Sequence, residues 1–213
     1  QVLLESCSSG GTRFDLGMMC FSPQVWTSDD TDPIERLTMQ RNAGYLYPLS
    51  VMGAHVASHV SQQTMRNTPL ATRFNVAAFG NLGYELSLQE LSSFEKGEIS
   101  EQVDFYKKYR QIFQYGRFHR YDCGDPNQEQ FAVGDDRLML AAVFRRMMEA
   151  APEFEELCVQ GLDPQKNYTV DTRPQKMRVS MFGDLAKYAM PVRLNSEGLI
   201  MKAVDSFIGV SDG

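Results

Sequence analysis

The chain opens on an apolar run, Val2-Leu3-Leu4 through Cys7, that stops at Ser8-Ser9-Gly10-Gly11, the pattern of a buried strand followed by a turn. Continuous apolar runs suit parallel sheets, whose strands are covered on both faces. Gln24 to Ser28 predicts a second strand, which leads into Asp29-Asp30-Thr31-Asp32-Pro33 and then into helical composition from Ile34 to Arg41. Asp32 before Pro33 marks that helix start: a side-chain acceptor at the cap, and proline where its missing N–H costs nothing. Tyr47 to Met52, closed by Gly53, predicts a third strand. A polar loop over 58–69 precedes a helix from Leu70 to Gly80, and Gly83 to Leu88 reads as a further strand. Strand, loop and helix in repeated order predict βα units of a parallel sheet or barrel.

Ser92 to Tyr115 is the strongest helical pattern, because Ile99, Val103, Tyr106, Tyr109, Ile112 and Phe113 recur at three- and four-residue steps among Glu, Lys and Gln. Beyond Gly116 the texture changes. Phe118 to Tyr121, Gln130 to Val133, Arg137 to Arg145, Glu156 to Val159 and Tyr168 to Asp171 are short β-rich runs punctuated by turn-forming pairs. That style predicts an antiparallel β domain over 118–213 behind an α/β part over 1–117.

Composition narrows the partners. With 213 residues, 43% hydrophobic and 23% charged, the chain has material for one large domain or two small ones. A net charge of -6 argues against nucleic-acid or anionic-membrane surfaces, which ask for clustered Lys and Arg. An uncharged or small polar ligand fits better. No stretch approaches the roughly 20 apolar residues that span a bilayer, and the opening residues lack the basic start and apolar core of a signal peptide. Cys7, Cys20, Cys123 and Cys158 have no CxxC spacing, so a reducing cytoplasm is the default and buried packing is expected of Cys20, Cys123 and Cys158. A start at Gln1, directly before a strand, predicts a chain that continues upstream.

Two stretches hold candidate chemistry: Cys7 to Asp15, and Trp26-Thr27-Ser28-Asp29-Asp30-Thr31-Asp32. Both follow strand candidates, and in β/α barrels the carboxyl ends of strands face the active site. Blander readings stand beside this one. The acidic run also reads as a solvated turn with Asp32 as helix cap, or more weakly as a Ca²⁺ loop. Ser8-Ser9-Gly10-Gly11 also reads as a plain turn, with no GxxxxGK to make a phosphate cradle. Cys7 alone reads as a buried thiol. His55 and His59 stand four apart without an HExxH pattern, in what reads as loop, so no metal role is assigned. Trp26, the sole tryptophan, is either core or a platform for the apolar face of a sugar.

The strings LLESCSSGG, SPQVWTSDDTDPIERL, YPLS with MGAHV and QT, TPLATRFNVA with FGNLGYEL, and EQVDFYKKYR occur in one order over residues 1 to 120. In that order and spacing they are similar to the corresponding block of glycoside hydrolase family 36 α-galactosidases, the melibiases. The later half resembles that family's C-terminal β domain more loosely, through Gly161-Leu162-Asp163-Pro164 with Tyr168, and through Gly183-Asp184. The resemblance implies the C-terminal part of a (β/α)8 TIM barrel followed by an antiparallel β-sandwich. It also implies retaining exo-hydrolysis of terminal α-galactosyl groups from melibiose- or raffinose-type sugars. Retaining enzymes use two carboxyl groups about 5 Å apart, one attacking the anomeric carbon and one protonating the leaving oxygen before activating water. Asp29 carries over as that acid/base. Cys7 and Gly10 carry over as lining the galactose pocket, with Trp26 beside it. Asp32 and Arg36 are read from their places in the motif as ordering the acid/base loop.

The family's nucleophile is an aspartate on an earlier strand, in a K-x-D setting, and no such strand precedes Cys7 here. Whole β/α barrels take about 250 residues, so half a barrel is expected, with uncovered apolar faces and no activity on its own. The expected partners are α-galactoside oligosaccharides, with a homo-oligomeric complete protein and no cofactor. Two other readings remain open at this point: a relative acting on α-N-acetylgalactosaminides, and a noncatalytic carbohydrate-binding or structural module.

Overall fold

A computed structural model describes residues 2–122, 124–147, 159–163, 165–173, 193–194, 200–201 and 207–212. The first half builds a four-stranded parallel sheet in the order β1 (Glu5–Ser6), β2 (Gln24–Trp26), β3 (Met52–Ala57), β4 (Asn81–Glu85). Each strand pairs in parallel with the next in sequence: Glu5 opposite Gln24, Trp26 opposite Gly53, His55 opposite Gly83. Parallel neighbours need a crossover. After the left-handed turn α1 (Ser8–Gly11) and the short α2 (Leu16–Met19), α3 (Pro33–Ala43) and α4 (Leu70–Ala77) supply the later crossovers, and the long α5 (Ser93–Tyr115) follows β4.

Alternation along the strands sets the two faces. Val25, Met52, Ala54 and Val56 are buried with Leu37 of α3 and Phe74 and Val76 of α4. The opposite face is polar or small: Glu5, Gln24, Trp26, Gly53, His55, Asn81, Gly83 and Glu85. Gly53 suits that crowded position, because a Cβ would stand 3.0 Å from Glu5 Oε1 and 3.1 Å from the Trp26 ring and these would have to give way.

Two expected strands move. Tyr47 to Met52 is not a strand: Pro48 caps a 3-10 turn over Leu49–Val51, and the strand begins at Met52 and runs through Gly53 instead of ending there. Nor is Val2 to Cys7 a buried strand. Only Glu5–Ser6 pairs, and Val2, Leu3 and Leu4 are 83%, 77% and 57% exposed, since β1 is the sheet's edge and no described residue covers them.

The second half builds a five-stranded antiparallel sheet, in the order β5 (Arg117–Tyr121), β6 (Gln128–Gly134), β7 (Leu138–Arg145), β11 (Phe207–Asp212), β8 (Tyr168–Thr172), beside the pair β9 (Arg193–Leu194) and β10 (Ile200–Met201). Glu156 to Cys158 of the expected run at 156–159 lies outside the described residues, as do Cys123, Pro164 and Gly183-Asp184; Val159 is described and is not in a strand. The sheet's inner face, Phe131, Val133, Leu140, Ala142 and Phe144, joins the same core as α3, α4 and α5. Its outer face packs Tyr121, Ala132, Met139 and Ala141 under Val159, Leu162 and Tyr168. A polar seam adds to the junction: Glu129 of β6 is buried and bridges Arg41 of α3 and Arg146, while Arg146 Nη1 donates to the Ile34 carbonyl at 3.0 Å.

Candidate active site

Behind β1 the chain turns the wrong way on purpose. Ser8, Ser9, Gly10 and Gly11 hold φ of 49°, 57°, 75° and 90°, a left-handed turn in which two residues bear side chains. L-residues enter that region at a cost of roughly 1–2 kcal/mol each, and such outliers gather at functional sites. The turn closes with the Gly11 N–H donating to the Cys7 carbonyl at 2.6 Å. It lies hard against the loop that follows β2. A Cβ on Gly10 would meet Asp29 N at 2.9 Å and Asp29 Cγ at 3.3 Å, and a Cβ on Gly11 would meet the Thr27 carbonyl oxygen at 2.5 Å. The glycines are there to let two strand ends touch.

Asp29 is exposed, rather than buried, at the tip of that loop. The Trp26 indole N–H donates to its Oδ1 at 3.0 Å, and Gln63 Nε2 donates to its carbonyl at 2.8 Å, so carboxyl and backbone are held separately. Trp26 is half-buried, its ring in contact with the Arg36 guanidinium at 4.5 Å and with the His55 ring at 4.4 Å. It is therefore neither core nor free.

The loop beneath Asp29 is braced from inside. Arg36, buried on α3, donates to the carbonyls of Asp30 (2.7 Å), Ser28 (2.6 Å) and Gly53 (3.3 Å) and to the Thr27 hydroxyl. Burial pushes its guanidinium down to about 10, against Asp30, Glu85 and Asp29, which pull it up. Asp30 turns its carboxylate into its own loop and accepts from the Asp32 N–H at 2.9 Å. Asp32 is fully buried: it caps α3 through the Ile34 N–H at 2.9 Å, receives Arg66 Nη1 at 2.5 Å and accepts from the Thr64 hydroxyl.

Of the expected site residues, Gly10, Trp26 and Asp29 meet at the ends of neighbouring strands, and Asp32 and Arg36 lie directly under them. Cys7 sits at the root of the left-handed turn and is exposed, which overturns the buried-thiol reading. Cys20 is exposed as well, because α2 is a short surface turn with no buried residue. His55 belongs to β3 and not to a loop. Among the described residues no three His, Cys, Asp or Glu side chains gather as metal ligands, and no helix is long and apolar enough to cross a membrane. Gln63, Thr64, Arg66, His55 and Glu85 went unassigned in the sequence. Gln63-Thr64 and His55 stand inside the recurring strings, which was their one available signal.

An acidic side chain oriented by an indole, above a glycine-tight turn, defines an α/β protein with a polar ligand site at the carboxyl ends of its parallel strands. Comparison with known proteins narrows the class. Residues 1–116 match the family model Melibiase. An α-galactosidase of Geobacillus stearothermophilus is 41% identical over 173 residues, covering 80% of this chain and 24% of the relative. One from Lactobacillus acidophilus is 40% identical over 169 residues, covering 78% and 23%. The crystal structure of a Lactobacillus brevis α-galactosidase superposes with a TM-score of 0.83 at 37% identity, over 100% of this chain and 29% of that one. A family 36 α-galactosidase variant of G. stearothermophilus solved with raffinose gives 0.80 at 32%, over 100% and 29%. The chain belongs to the melibiase family of glycoside hydrolases. It spans about a quarter of the length of the curated relatives it matches.

Proposed function

We propose that this chain contributes the acid/base half of the active site of a retaining exo-α-galactosidase acting on raffinose-type sugars. Asp29 protonates the glycosidic oxygen as the bond to the leaving sugar breaks, then takes the proton of the water that opens the galactosyl-enzyme intermediate. The nucleophile is an aspartate supplied from a strand outside these 213 residues. Cys7 and Gly10 line the galactose pocket. Trp26 orients the acid and flanks the sugar. Asp32 and Arg36 hold the loop that presents Asp29.

The observation that carries this reading is the pairing of the Trp26 indole N–H with Asp29 Oδ1 at 3.0 Å, directly above Gly10. A carboxyl group held by one donor at one oxygen leaves its other oxygen able to carry a proton toward substrate. One relative, from G. stearothermophilus, was solved as two variants, with raffinose and with stachyose, both terminal α-galactosides, which supports this substrate class. Sequential parallel pairing with the helices behind one face is the order of a singly wound barrel. We therefore read residues 1–117 as the barrel's C-terminal part and 118–213 as a β-sandwich domain.

The test is hydrolysis of raffinose and of an aryl α-galactoside by the complete protein and by the 213-residue chain. The complete protein is expected to turn over both, and Asp29→Asn to lower kcat/KM for raffinose by about 10²–10⁴. The isolated chain is expected to be inactive. Turnover by the pure chain that disappears in Asp29→Asn would refute the split site. Activity confined to an α-N-acetylgalactosaminide would refute the substrate.

A further inference from the structure

The polar face of the parallel sheet carries one group that the mechanism above does not use. His55 points from β3 onto the face that holds Trp26 and Glu85, and its place is over-determined. Its ring lies on Gly83 so closely that a Cβ there would stand 2.5 Å from Cδ2 and 2.6 Å from Nε2. Its Nδ1 is 3.2 Å from Glu85 Oε2. An ionised carboxylate only accepts, so Nδ1 carries the proton and Nε2 faces away from Glu85. The ring also packs against Trp26 at a centroid distance of 4.4 Å.

We propose that His55, anchored by Glu85 and seated on Gly83, is a positioning residue that fixes the plane of Trp26 and, through the indole N–H, the carboxyl of Asp29. The inference rests on the acid/base reading of Asp29 and extends it by one link. An indole has two torsions to settle before its N–H points anywhere. Arg36 stands over the ring at 4.5 Å and the His55 ring packs against it at 4.4 Å, so the indole cannot swing far without displacing one of them. The bond to Asp29 is the output of that clamp. A carboxyl that rotates freely spends less time aimed at the leaving oxygen, and orientation of this kind is a large part of a general acid's worth. The charged groups around His55 are Glu85 of β4, and Arg36 of α3 and Arg73 of α4, which line a cavity of about 10 Å³ with it.

Two measurements test it. In the complete enzyme, His55→Gln and Gly83→Ala are compared with wild type on raffinose, whose leaving group needs a proton, and on a dinitrophenyl α-galactoside, whose leaving group does not. The proposal expects kcat/KM for raffinose to fall about tenfold or more in both variants, and for the activated substrate to stay within about threefold. Equal losses on both substrates would mean a merely structural role, and no loss on either would mean none; each outcome overturns the proposal. The second measurement is independent of galactosidase activity. Trp26 is the sole tryptophan of the chain, so its fluorescence reports on its neighbour. Loss of the imidazole is expected to free the indole, so His55→Gln should lower the fluorescence anisotropy of Trp26 while leaving the far-UV spectrum unchanged. An anisotropy in His55→Gln equal to that of wild type refutes the clamp. A wild-type enzyme inactive on both galactosides would count against the acid/base reading, and the fluorescence result would then stand or fall by itself.

Discussion

At the scale of single residues the site is built by close approach. Gly10 and Gly124 both hold left-handed backbone, at φ of 75° and 70°, but only Gly10 has a neighbour: a Cβ there meets Asp29 N at 2.9 Å, while Gly124 has nothing within 4 Å. Alanine at either position carries the conformational penalty, roughly 1–2 kcal/mol. Alanine at 10 must also push Asp29 aside. Gly10→Ala is therefore expected to cut raffinose kcat/KM in the complete enzyme by at least tenfold, while Gly124→Ala lowers Tm and leaves kcat/KM alone; steady-state kinetics beside thermal melts separate the two effects. That Asp29, Trp26 and Gly10 would meet was legible in the sequence, because each falls in or just after a predicted strand. Gln63 and Arg66 were not, since they reach Asp29 and Asp32 from 34 residues away along the chain and only the folded loop brings them there. The exposure of Cys7 was unreadable too, because it is set by tertiary surroundings and not by the local sequence.

Elements were legible where local chemistry decides them and misread where tertiary contact does. The Asp32-Pro33 start gives α3 its cap as expected, and the three- and four-residue rhythm of 92–115 gives α5 nearly to the residue. Tyr47 to Met52 misled because an apolar run does not say which of its residues pair. Pro48 lacks the N–H for a ladder bond, and Gly53 sits in a strand crowded by Glu5 and Trp26 across the sheet, not in a turn. α5 carries a device of its own. Ser92 Oγ accepts from the Glu95 N–H at 3.2 Å, and Glu95 accepts from the Ser92 N–H at 2.9 Å and from its hydroxyl at 2.7 Å, a reciprocal capping box. Those bonds, the hydroxyl's first and the backbone's second, hold the Glu95 carboxyl below its usual range. A depressed carboxylate contributes stability that is present above its unfolded pKa and lost as pH falls through the folded one. Ser92→Ala is thus expected to cost about 1 kcal/mol at neutral pH. The gap to wild type should narrow as pH drops below the carboxylate range, because acid removes Glu95's share of the cap in both proteins; urea melts at two pH values read the difference.

Across the whole molecule, the change of texture at Gly116 separates a parallel sheet from an antiparallel one, yet the two share a core. Phe79, fully buried between α4 and β4, meets Phe113 of α5 at 5.6 Å, Phe118 of β5 at 6.0 Å, Phe131 of β6 at 5.4 Å and Phe144 of β7 at 6.2 Å. Most of those contacts are edge-on, the arrangement in which aromatic pairs attract beyond their buried area. Sequence texture reports how strands pair within a sheet. It is silent about which sheets a single ring will join, because the partners of Phe79 lie up to 65 residues away. Truncating that ring is expected to cost about 3–5 kcal/mol. The more telling expectation concerns cooperativity. Trp26 reports on the parallel sheet, and the far-UV signal includes the antiparallel one, so coincident melts of the 213-residue chain by both probes mark one folding unit. Phe79→Ala should lower both midpoints together. If the tryptophan signal moves and a later far-UV transition stays in place, the antiparallel sheet stands without Phe79, and the aromatic cluster is a contact between two domains rather than the centre of one.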